Sequence, residues 1–159
     1  MVEPTGVWSR AELDAFLDDA AIPLRLACRT PADDLWTLSL WYRYRDGAFW
    51  CATSRDADVV RFLRANADVA FEVSTNRPPY RGVRGRGTTS IEPDEGKKLL
   101  RGLLERYLGG TESSLAASLL SPEREEAKIR IEPTKLYTWD FSERMADVAV
   151  GDGGNRDVR

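Results

Sequence analysis

Residues 35 to 54 read LWTLSLWYRYRDGAFWCATS. Two aromatic-rich runs flank Asp46-Gly47, a dipeptide suited to the backbone of a tight hairpin turn. In the first run Trp36, Leu38, Leu40, Tyr42 and Tyr44 fall on one face, and Thr37, Ser39, Trp41, Arg43 and Arg45 on the other. A period of two, with one apolar and one semi-polar side, is the pattern of a β-strand lying on a barrel or sandwich interior. Aromatics interleaved with arginines also occur where nucleic-acid bases stack. The strict alternation favours the packed hairpin.

Working outward, Ser9-Arg10-Ala11-Glu12 has the spacing of a capping box, with Leu13, Phe16 and Leu17 at helical intervals behind it. A helix to about Ala20 follows from that pattern. Pro23 opens an alternating strand, Leu24 to Cys28. After Ser54, Val59, Val60, Phe62 and Leu63 predict a short helix with Asp56 as its N-cap, and Val69 to Val73 predict another strand.

The segment PPYRGVRGRGTTSI, residues 78 to 91, poses the next problem: arginine and glycine concentrated in one short run. A dinucleotide fingerprint needs G-x-G-x-x-G before a helix. Here Gly82, Gly85 and Gly87 come in the order G-x-x-G-x-G and lead into β-forming residues. The run is therefore a strand, with Arg84, Arg86, Thr88 and Ser90 on one face and Val83, Gly85, Gly87, Thr89 and Ile91 on the other. Glycines inside a strand mark bending or close backbone approach, which a barrel requires.

A helix carrying Leu99, Leu100, Leu103, Leu104 and Tyr107 should begin at Pro93-Asp94-Glu95 and stop at Gly109-Gly110, followed by a short helix in residues 112 to 126. Two closing strands are expected, one through Ile129 and Ile131 and one, beyond Pro133, through Tyr137, Trp139 and Phe141. The expected architecture is mainly β with peripheral helices (α+β), about six strands bent as a barrel requires. Residues 1–150 would form one domain and the tail 151–159 would be disordered.

Composition narrows the chemistry. A chain of 159 residues, 42% hydrophobic, supports one core. Its 23 Lys+Arg against 26 Asp+Glu give a net charge of -3, opposite in sign to the field of nucleic-acid binders, so no nucleic-acid partner is expected. There is no histidine, which removes Ser-His-Asp and Cys-His nucleophile activation, histidine-ligated zinc and the usual neutral-pH proton shuttle. Cys28 and Cys51 lie in apolar strand-like runs, where a reduced cysteine acts as a small hydrophobe. With no signal-peptide pattern and no apolar stretch near the roughly 20 residues of a membrane helix, a cytoplasmic location off the membrane is expected. Chemistry carried by a bound organic cofactor survives these exclusions, as does simple ligand binding.

The pieces PLRLACRT, LWYRYRDGAFWCATS, VVRFLRAN, YRGVRGRG and IRIEPTKLYTWDF, in this order and spacing, resemble the pyridoxamine 5'-phosphate oxidase-like proteins, FMN-binding split β-barrels. The resemblance runs from about Ile22 to Phe141. It implies a homodimer with two flavins in grooves between the subunits, and oxidoreductase chemistry by hydride transfer to or from a small-molecule substrate. By position, Thr37, Leu38, Ser39 and Leu40 would face the ring system, Ala52, Thr53 and Ser54 would lie beside the ribityl phosphate, and Arg81 and Arg84 would sit near the cofactor. Catalytic residues are not indicated, nor is a metal.

The family's serine-arginine-lysine phosphate cluster is replaced here by Ala57, Asp58 and Val59. An aspartate at that place repels a phosphate dianion. The deazaflavin F420, whose acidic tail is held by spread arginines in related barrels, is therefore the alternative cofactor. A cofactor-free barrel, or an RNA-binding module built on Arg81, Arg84 and Arg86, is the remaining reading. The carboxy-terminal substrate segment of the vitamin B6 oxidases is not reproduced after Trp139-Asp140-Phe141, so vitamin B6 oxidation is not the expected activity. Trp41 and Trp139 add apolar area to semi-polar faces, which a second copy would cover.

Overall fold

A computed structural model describes residues 1–148. The expected tail, and the last two residues of the expected domain, lie outside the described residues. The elements run β1 (Thr5–Gly6), α1 (Arg10–Asp19), β2 (Leu24–Arg29), β3 (Leu35–Leu40), β4 (Arg43–Arg45), β5 (Ala48–Ser54), α2 (Asp58–Ala65), β6 (Asp68–Ser74), β7 (Arg81–Pro93), α3 (Lys98–Leu108), α4 (Ser114–Leu119) and β8 (Glu126–Asp140). One eight-stranded sheet runs in the order β3-β2-β6-β7-β8-β5-β4, with β1 added in parallel to β8. Apart from β1 every pairing is antiparallel. The two ends of that path, β3 and β4, are consecutive in the chain, so the sheet curls into an open barrel. This is the split-barrel architecture.

The strand count exceeds six because β1 is added at the sheet's β8 strand and because the first arm of the hairpin is split in two. The first arm of the hairpin breaks at Trp41-Tyr42, where the chain leaves β2 and turns to pair with β5. The face pattern persists across the break: Leu40 and Tyr42 are buried in the core, and Trp36, Leu38 and Tyr44 pack against it. Trp41 points the other way and stacks on Tyr107 of α3, ring centroids 5.1 Å apart and planes 9° apart. Its apolar surface is thus used within the chain, rather than adding to a face open to a partner.

Conversely, the two closing strands form one. β8 runs through Pro133, where its register against β7 shifts: Arg86 is opposite Lys135, but Gly87 is opposite Pro133. Thr134 is the extra residue of a bulge, where proline's missing N–H is tolerated. The bulge also reverses the face pattern. Ile129 and Ile131 are buried before it, Leu136 and Thr138 after it, and Tyr137 points outward.

The α1 capping box is present, with Ser9 Oγ accepting from Glu12 N–H and Glu12 accepting from Ser9 N–H. At the other end of α1, Arg106 of α3 donates to the carbonyls of Leu17, Asp18 and Ala20. These are orphan acceptors of a helix C-terminus, where a cation is also favoured by the helix dipole. Tyr42 Oη lies 2.9 Å from two of the same carbonyls. Before α3, Asp94 is buried and accepts the N–H groups of Leu99 and Leu100 through its two carboxylate oxygens. The helix therefore starts four residues after Asp94, beyond a single 3-10 turn, and ends at Gly109, whose φ of 75° suits glycine. The short helix expected in 112–126 covers only Ser114–Leu119, and Glu126 already belongs to β8.

Cys28 and Cys51 are free and buried. Burial pushes the Cys51 thiol up to about 12, so it packs as a hydrophobe.

Candidate functional site

The outer face of β3-β2-β6-β7-β8 carries a shallow groove of about 580 Å³. Small residues form part of its floor: Ala27 of β2, Ala70 of β6 and Gly85 of β7. The charged residues around them are Arg25, Arg84, Arg86 and Lys135, against a single carboxylate, Glu72. Register explains the assembly, since Arg84 stands directly between Glu72 on β6 and Tyr137 on β8, and Arg86 between Ala70 and Lys135. Side chains opposite one another across a ladder share a face.

The Arg84 guanidinium lies 4.6 Å from the centroid of the Tyr137 ring, a cation–π contact that restrains a long side chain. Among the described residues, no carboxylate lies within 4.0 Å of the charged nitrogens of Arg84, Arg86 or Lys135. Arg86 and Lys135, directly opposite each other, are like charges with nothing between them to neutralise. Glu72 Oε1 instead accepts from Ser74 Oγ at 2.6 Å. Such a groove suits a flat ligand that carries negative charge.

Of the residues singled out from sequence, Thr37 and Arg84 line this groove. Ser39 is exposed two residues along the same face of β3, whereas Leu38 packs against the core and Leu40 is buried in it. Arg81 and Arg84 do not converge. Three residues apart on one strand they take opposite faces, and Arg81 lies over Phe16 of α1, 5.9 Å from its ring centroid.

Nor do the β5 candidates reach the groove. Ala52 packs beneath α3 and α4 with Leu100, Leu104 and Ala116. Thr53 is half-buried opposite Ala127. Ser54 sits in the turn into α2, its Oγ accepting the Asp56 N–H at 3.3 Å. Arg25, Arg86, Lys135 and Tyr137 are the cationic and aromatic groove residues not singled out as cofactor contacts.

At the start of α2 the N-cap is Ala57, with no side-chain cap bond, and Asp56 does not fill that role. Asp58 is exposed and pairs with Arg61 at 3.2 Å. Val59 is 1% exposed and belongs to the core, so its side chain is turned away from any ligand. Arg55 is held by Glu125. Within one chain a pocket at this helix start is lined by Arg55, Arg61 and Arg64, of which the first two are engaged by carboxylates, in place of the serine-arginine-lysine cluster. In the groove, the cations without a carboxylate partner lie on β2, β7 and β8.

Antiparallel strands curled into an open barrel, with an outer groove rich in unpaired cations, define a split-barrel protein with a candidate site for a flat anionic ligand. The sequence matches the family model described as pyridoxamine 5'-phosphate oxidase over residues 9–139, and the chain belongs to that family.

Among solved structures, a conserved hypothetical protein of Mycobacterium tuberculosis is similar over 94% of this chain and 94% of its own, with 22% identity and a TM-score of 0.70. An F420 reductase is similar over 76% of this chain and 92% of its own, with 22% identity and a TM-score of 0.64. A FAD-binding protein of Mesorhizobium loti aligns over 81% and 92%, with 22% identity and a TM-score of 0.58. At such identities the likeness concerns the fold. A search of curated proteins finds no match. Among the described residues no helix is long and apolar enough to cross a membrane, and no cluster of metal-ligating side chains occurs.

Proposed function

We propose that this protein is an oxidoreductase that binds a flavin-type cofactor on the outer face of β3, β6 and β7, with FMN as the first reading. The observation that carries it is the groove itself: small floor residues beneath a flat space, and Arg84, Arg86 and Lys135 without carboxylate partners. A flavin supplies hydride transfer to or from a small molecule. The chain's own part is to hold and orient it. Thr37 offers a hydroxyl, the Arg84 guanidinium is steadied by Tyr137, and the cations favour an electron-rich or anionic ring.

A second copy of the chain belongs to this reading, because Ser54 and the α2 start lie outside the groove that contains Arg84. A dimer brings the β5–α2 corner of one chain toward the β7 face of the other. Exposed apolar residues support such an interface: Leu35 at 76%, Tyr137 at 39%, Tyr80 at 39% and Phe141 at 36%. Tyr80 and Phe141 adjoin, since the Phe141 N–H donates to the Tyr80 carbonyl. Light scattering at micromolar concentration is expected to give twice the chain mass of 17.9 kDa. A monomer would remove the interface.

The second reading, F420, is favoured by the spread of cations along β7 and β8 in place of a cluster at α2. Parallel calorimetric titrations with FMN and F420, with absorbance spectra, decide between them. No binding of either overturns the assignment. If FMN's phosphate meets the α2 start, Asp58→Arg should tighten it roughly tenfold, as one charge-assisted hydrogen bond does, and added salt should erode the gain. Val59→Lys is no equivalent test, because that side chain is in the core.

A further inference from the structure

A second concavity, of about 460 Å³, lies on the other side of the barrel, between the β4–β5 hairpin, β8 and α3. Trp50 of β5 is its aromatic wall. Its row in the sheet is set by register: Arg43 is opposite it on β4 and Arg130 on β8. Lys128 Nζ and the Arg130 guanidinium lie 5.8 and 5.6 Å from the centroid of the Trp50 ring. Both of these cations are already paired, Lys128 with Glu92 at 3.2 Å and Arg130 with Glu132.

Arg43, Arg45 and Lys98, which also line the concavity, have no carboxylate within 4.0 Å among the described residues. Three carboxylates line it as well, Asp46, Asp94 and Glu95. Asp94 is committed to the first N–H groups of α3. The end of α3 is therefore not available to an anion, and the three unpaired cations must hold it. The helix also leaves room: a Cβ added at Gly102 would meet nothing within 4 Å.

We infer that this concavity is a binding site for a small organic anion, distinct from the cofactor groove, with an aromatic body against Trp50 and Leu99 and a phosphate or carboxylate among Arg43, Arg45 and Lys98. An apolar wall beside a few convergent charged groups is the usual composition of a small-molecule site. The site shares no lining residue with the groove containing Arg84, so it stands whether or not a flavin binds there.

The test uses phenyl phosphate, benzoate and inorganic phosphate, titrated into the full chain by calorimetry and by tryptophan emission. Phenyl phosphate is expected to bind at least tenfold more tightly than inorganic phosphate, since burying a phenyl ring contributes more than one factor of ten. Benzoate binding as well as phenyl phosphate would define a carboxylate site, and weaker benzoate binding a phosphate site. Arg43→Ala and Lys98→Ala should each weaken binding roughly tenfold. Trp50→Phe should remove most of the emission change while retaining calorimetric binding, and Arg84→Ala should alter neither. The inference is overturned if no probe binds saturably, if Arg43→Ala and Lys98→Ala bind as the parent does, or if Arg84→Ala alone abolishes binding.

Discussion

Gly85→Ala is expected to destabilise the protein by about 2 to 3 kcal/mol, in the range of overpacking substitutions. In a chain of this size that lowers Tm by roughly 4 to 12 °C. A Cβ on Gly85 would lie 2.2 Å from the carbonyl oxygen of Lys135 and 2.7 Å from Phe71 Cζ. The first contact is with backbone of the neighbouring strand, so a side-chain rotation cannot relieve it. β7 must move away from β8, beside the bulge at Thr134. Gly87 is similarly placed, 2.5 Å from the Glu132 carbonyl oxygen. Gly102→Ala supplies the contrast. Helical, with open space at its Cβ, it should stabilise by about 0.5 to 1 kcal/mol. Thermal unfolding of the two variants checks both, and a Gly85→Ala protein as stable as the parent would show that β7 does not depend on this close approach.

That result bears on how the fold was legible. The close backbone approach at Gly85 and Gly87 could be read from glycine inside an alternating strand, and the faces of β3, β4 and β7 followed from period-two alternation. The Ser9–Glu12 capping box marked the start of α1 for an equally local reason. What escaped was non-local. Alternation assigns a residue to a face but not to a partner strand, so neither the Trp41-Tyr42 corner nor the meeting of Arg84 with Tyr137 could be derived. The single-residue bulge at Thr134 put Leu136 and Thr138 into the core and turned Tyr137 and Lys135 toward the groove. The capping of α3 by Asp94 required knowing that a 3-10 turn intervenes.

The candidate site was legible in part, and one signal was overlooked. Arg81 and Arg84 are three residues apart, an odd spacing that separates them across a strand. The same argument applies to β5, where Ala52 and Thr53 face opposite sides of the sheet. A positional likeness transfers residues along a sequence without asking which face each occupies. The family's phosphate position was likewise readable as altered at Ala57, Asp58 and Val59, but the burial of Val59 depends on how α2 packs.

Arg84→Ala is expected to weaken cofactor binding by tenfold or more, and Arg86→Ala by less, although both side chains leave the same face of β7. Their neighbours differ. Arg84 lies against the Tyr137 ring, so its guanidinium is restrained before a ligand arrives and less side-chain freedom is lost on binding. Arg86 faces Lys135, a like charge that drives it outward, and it must be drawn back at a cost in entropy. A charge-assisted hydrogen bond contributes about 1.5 to 3 kcal/mol, which for the pre-positioned group corresponds to a factor of ten or more. Tyr137→Phe keeps the ring and should preserve most of the affinity, while Tyr137→Ala removes the support and should reproduce part of the Arg84→Ala loss. Thermal unfolding should stay close to the parent in Arg84→Ala and Arg86→Ala, because both arginines are exposed. Calorimetry with whichever of FMN and F420 the parent binds supplies the measurement. Equal, small losses at the two arginines would mean that the β7 face is a solvated strand surface, and the groove would lose its claim to the cofactor.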